Sequence, residues 1–77
     1  MLPACQVGKV SDTCFSLPSA FSSPEFIQEI ADEIEDSGGF LLLCVRKSEE
    51  TLIICEGVHY EVFETIVLNL SDSFSNA

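Results

Sequence analysis

Cations are nearly missing from this chain, which holds only Lys9, Arg46 and Lys47 against 13 aspartates and glutamates, for a net charge of -10 over 77 residues. Proteins that grip DNA or RNA draw most of their affinity from neutralising phosphates with a basic stripe. Three cations cannot form one, so direct binding to nucleic acid or to an anionic membrane is disfavoured. A protein partner with a basic surface suits the charge better, although an acidic surface also serves plain solubility. Long apolar runs are missing too. The longest, 40–45 and 52–55, are strand-length and too short to span a bilayer.

Other absences narrow the chemistry. The opening MLPACQVGKV has no basic start followed by an apolar stretch, so no signal peptide is expected. No C-x-x-C pair occurs, which argues against a zinc ribbon or a thioredoxin-like motif. The four cysteines, Cys5, Cys14, Cys44 and Cys55, therefore read as small hydrophobes of a reduced, cytoplasmic protein.

Hydrophobic residues make up 47% of the chain, enough to fold despite the charge. The length predicts one domain over 1–77, with 1–10 and 71–77 loosely ordered. A core this small leaves self-association into a homo-oligomer as a way to cover further apolar surface.

The pattern predicts an α+β fold. A short first strand is expected over 5–10, followed by an irregular, serine-rich connection over 11–23 with some extended character. Ser23 before Pro24 is a helix start, because the serine caps free N–H groups and proline at the first helical position loses no hydrogen bond. Ser22 with Glu25 offers an alternative capping box. Phe26, Ile27, Ile30, Ala31 and Ile34 then fall on one helical face, and Gly38 or Gly39 ends the helix. The outer face carries Glu25, Glu29, Asp32, Glu33, Glu35 and Asp36 without a cation. Acids in the last turn oppose the helix dipole by about 0.3–1 kcal/mol each. Stability alone would favour lysine there, so this face is a candidate docking surface for something basic.

Residues 40–46 read as a strand covered on both faces, and 51–55 repeat the pattern. The polar 47–50 between them predicts an antiparallel hairpin. A turn symmetric about Ser48 and Glu49 sets Cys44 opposite Ile53 and Leu42 opposite Cys55, with Cys44 and Cys55 diagonal on one face; a one-residue shift would break this relation. Beyond Gly57, Val62, Phe63, Ile66, Val67 and Leu70 predict a second helix over 59–70, and 69–77 is expected to fray.

The corner Glu56, Gly57, Val58, His59, Tyr60 and Glu61 holds the only histidine and tyrosine. A glycine between a strand and a helix lets backbone groups face a ligand or partner. Cys44, Cys55 and His59 are zinc-ligand types, but a structural zinc site needs four ligands, so no metal is assigned. A cysteine–histidine nucleophile lacks the electropositive setting that lowers a thiol pKa. Glu56 and Glu61 could pair for acid–base work or hold magnesium, yet surface glutamates beside a turn are more often solvated charge.

The helix end IADEIEDSGG at 30–39, the strand LLCVRK at 42–47, and Glu56-Gly57 with His59-Tyr60-Glu61 together resemble the N-terminal domain family of ParB and sulfiredoxin-like proteins, over 11–70. The resemblance implies the fold: short strand, amphipathic helix, hairpin, C-terminal helix. Nucleotide-binding members carry an arginine-rich segment after the glycine, and this chain has none there. Sulfiredoxin-like members use a cysteine where Val58 stands. The family's chemistry is thus not expected here, no cofactor is assigned, and the protein is read as a non-enzymatic interaction or regulatory module. Its expected partner-binding residues are Glu56, Gly57, His59, Tyr60 and Glu61 at the corner, with Glu29, Asp32, Glu33 and Asp36 on the helix. The alternative is an acidic nucleic-acid mimic that blocks a basic DNA- or RNA-binding protein; a residual nucleotide- or metal-dependent enzyme is the third.

Overall fold

The computed structural model describes residues 7–75, so Cys5, in the expected first strand, lies outside them. Four strands, β1 (Gly8–Lys9), β2 (Cys14–Pro18), β3 (Phe40–Lys47) and β4 (Glu50–Glu56), and two helices, α1 (Pro24–Asp36) and α2 (Tyr60–Ser75), make an α+β fold, with a single 3-10 turn at Ser19–Phe21. The strands form one sheet in the order β1-β2-β4-β3, antiparallel throughout.

The expectation of an irregular connection over 11–23 is overturned. Cys14–Pro18 is a central strand, paired on both sides, in which buried Phe15 and Leu17 alternate with half-buried Cys14, Ser16 and Pro18. Proline stands at the strand's last residue, where the loss of a ladder donor is tolerated. The neighbouring serines close turns: Ser11 Oγ accepts from the Cys14 amide at 3.1 Å, and the Ser22 hydroxyl donates to the Ser19 carbonyl at 2.7 Å.

Helix α1 begins where its sequence signals lie. Ser23 Oγ accepts from the Phe26 amide at 3.2 Å with Pro24 in the first turn, while Ser22 is buried and its carbonyl accepts from the Arg46 guanidinium. At the other end the Gly38 amide donates to the Glu35 carbonyl and the Gly39 amide to that of Ile34, both at 3.0 Å. With Gly38 at φ 95°, this is a Schellman cap.

The hairpin turns through Ser48 and Glu49, with Lys47 opposite Glu50 and Cys44 opposite Ile53. Only Ser48 of the two takes a positive φ, 58°, as in a type II′ turn. The expected pairing of Leu42 with Cys55 fails, because the register shifts between Leu41 and Leu43 and Leu41 is the residue opposite Cys55. Leu42 is the extra residue of a bulge. Helix α2 runs to Ser75, beyond the predicted end at Leu70; Leu70 packs on the core and Ser71 is buried.

Both helices cover one face of the sheet. Phe15, Leu17, Ile53 and Cys55 meet Phe26, Ile30 and Ile34 of α1 and Phe63, Ile66 and Val67 of α2 in one buried cluster. The Phe15 ring lies 4.9 Å from that of Phe63. No helix among the described residues covers the other face, and here a second expectation is overturned: β3 is an edge strand whose Phe40, Leu42 and Leu43 remain 59%, 58% and 52% exposed. A continuous apolar run does not guarantee two covered faces.

Candidate functional site

Glu25, Glu29, Asp32, Glu33, Glu35 and Asp36 are all exposed on α1. Their only side-chain hydrogen bond among the described residues is from Gln28 Nε2 to Asp32 Oδ1 at 3.1 Å. None of them has a cationic partner there. The single ion pair among the described residues joins Lys9 to Asp12 at 3.4 Å, and Arg46 is tied to the Ser22 carbonyl. From Glu29 to Asp36 the acids extend along about 10 Å of helix.

The corner is built by backbone packing. Gly57 takes φ 80°, and a Cβ placed on Gly39 would stand 2.7 Å from the Glu56 carbonyl oxygen and 3.1 Å from the Gly57 carbonyl carbon. Only glycine allows the end of α1 to close on the end of β4 in this way. Gly57 therefore serves chain packing first. The contact also brings the Asp36 end of the acidic helix to the corner, while Glu29 lies about two turns back.

Gly57, Val58, His59 and Tyr60 line an open cleft of about 480 Å³ whose opposite wall is Lys9 and Asp12. Glu56 and Glu61 are exposed beside it. His59 is exposed, with its carbonyl accepting from the Val62 and Phe63 amides at 3.0 Å. Tyr60 is half-buried: its hydroxyl donates to the Val7 carbonyl at 3.1 Å and its ring meets Phe15 edge-on at 5.5 Å. Burial, then the nearby Glu64 carboxylate, push its phenol above the ordinary value. Lys9 and Asp12 were missed by sequence reasoning. Their signal was weak, because they reach the cleft only through the turn between β1 and β2.

Cys44 and Cys55 share the helix-covered face, as the register predicts, but His59 stands apart at the corner. Among the described residues no group of three or more histidine, cysteine or acidic side chains is placed to hold a metal ion. Burial, then Cys14, raise the pKa of the Cys55 thiol, which disfavours the thiolate that a nucleophile requires. No helix among the described residues is long and apolar enough to cross a membrane.

Comparison with known proteins finds no significant match to a protein-family model, a curated protein or a solved structure.

Proposed function

We propose that this protein is a non-enzymatic interaction module, on a ParB-like scaffold, that captures a basic protein surface. The recognition surface is the acidic face of α1, with Glu29, Asp32, Glu33 and Asp36, continued at its C-terminal end by the corner Glu56, Gly57, His59, Tyr60 and Glu61. The observation that carries this reading is the row of exposed carboxylates with no cationic partner among the described residues. The helix, hairpin and glycine-led helix from Pro24 to Ser75 follow the segment order on which the family resemblance rests.

Uncompensated acids in the last turn of the helix raise its energy slightly through the dipole, and acids one turn apart repel one another. A basic partner would relieve both. Steering by such a field speeds encounter and weakens with salt.

The test is capture of partners from a cell extract at low and moderate salt, followed by measured affinity for the captured protein. Binding should fall at least tenfold as salt rises through the range where the screening length shortens to about 8 Å, and Asp32→Asn with Asp36→Asn should reproduce part of the loss. Salt-insensitive binding, or no effect of the double substitution, would place the interface elsewhere. Competition by nucleic acid for the same partner would identify the mimic.

A further inference from the structure

The side of the sheet away from the helices is a surface that the acidic face does not explain. The register places Cys14 on β2, Leu52 and Ile54 on β4, and Phe40, Leu43 and Val45 on β3 toward it. Phe40 and Leu43 are 59% and 52% exposed, and the other four are half-buried, with no helix or strand of the described residues layered over them. Charge is confined to its two ends, with Lys47 opposite Glu50 at one and Glu56 opposite Phe40 at the other. The middle is uncharged.

We propose that a second copy of this chain docks on this face, sheet against sheet. Phe40 and Leu43 leave more than half of their surface open, and a contiguous apolar patch of a few hundred Å² on a monomer is often an interaction site. Two sheets of this size set face to face make an interface at the lower end of what specific complexes bury, about 1,200 Å² in total. A two-fold axis running along the strands between β3 and β4 sets Leu43 against Ile54 of the second copy and Val45 against its Leu52. The same axis lays Lys47 over Glu50 of the second copy, and Glu50 over its Lys47, so the charged end is self-complementary.

The one charge that opposes this arrangement is Glu56, which the same axis sets over Phe40 of the second copy at the rim; the acidic helices do not. The acidic helices lie on the far side of each sheet, and with sheets about 10 Å apart and a helix layer beyond each, they stand on the order of 30 Å from one another. That is several screening lengths at physiological salt. Edge-to-edge pairing is the weaker route, because the Leu42 bulge and the Arg46-Lys47 end interrupt and blunt the β3 edge.

Analytical ultracentrifugation of the whole chain from about 5 to 500 µM tests the proposal. The expected result is a monomer–dimer equilibrium in the range of about 10–100 µM, unchanged or tighter at 0.5 M salt, opposite in sign to the acidic face's response. Leu43→Lys should remove the dimer while leaving the circular dichroism spectrum and binding to a basic partner intact. Lys47→Glu should weaken the dimer about tenfold, and the swap K47E/E50K should restore it. A chain that stays monomeric at 500 µM at both salt concentrations overturns the proposal, as does a dimer indifferent to both L43K and K47E.

Discussion

The two faces of the sheet are made from similar residues and have different fates. Phe15, Leu17, Ile53 and Cys55 on one face are almost completely buried under the helices; Phe40 and Leu43 on the other stay more than half exposed. Apolar side chains on the two faces of one sheet thus do different jobs. Stability resides in the covered face, and the open face is free to be used between molecules.

Substitutions can break that comparison. Phe15→Ala should cost about 3–5 kcal/mol in urea unfolding, whereas Leu43→Ala should cost less than about 1 kcal/mol, since it opens no enclosed cavity; equal costs would mean that the open face is also covered. At the junction beside the covered face, Gly39→Ala drives a Cβ against the Glu56 carbonyl oxygen and should lose about 1–3 kcal/mol, with the thermal midpoint as readout. Thr51 sharpens the contrast from within the covered face. Its hydroxyl is buried without a hydrogen-bond partner among the described residues, so Thr51→Val should gain about 1 kcal/mol. The smallest effect concerns Tyr60, which leans on Phe15. Followed by absorbance, this single tyrosine should titrate above its ordinary value of 10.0, and Glu64→Gln should lower the midpoint slightly. Because the folded pKa is the higher one, its stabilising contribution is complete below the unfolded pKa and is lost as pH rises through the folded one.

Local chemistry explains what was legible beforehand. Ser23-Pro24, the apolar period and Gly38-Gly39 mark α1 within its own residues, and the polar residues between two apolar runs mark the hairpin. Strand β2 was hidden because Ser16 and Pro18 dilute its alternation, and its strand character comes from pairing with distant β4. The uncovered face of β3 depends on where the helices pack, which a continuous apolar run does not encode. In the candidate site, the exposed acids of α1 and the glycine corner were legible. Lys9 and Asp12 were not, since tertiary packing alone brings them across from Gly57.

At Gly39 and Gly57 two stretches of backbone meet with no side chain between them. Side chains usually cushion such a junction by changing rotamer, and here that compliance is lacking. Any displacement of the last turn of α1 has to be met by backbone movement at Glu56-Gly57, where the wall of the cleft begins.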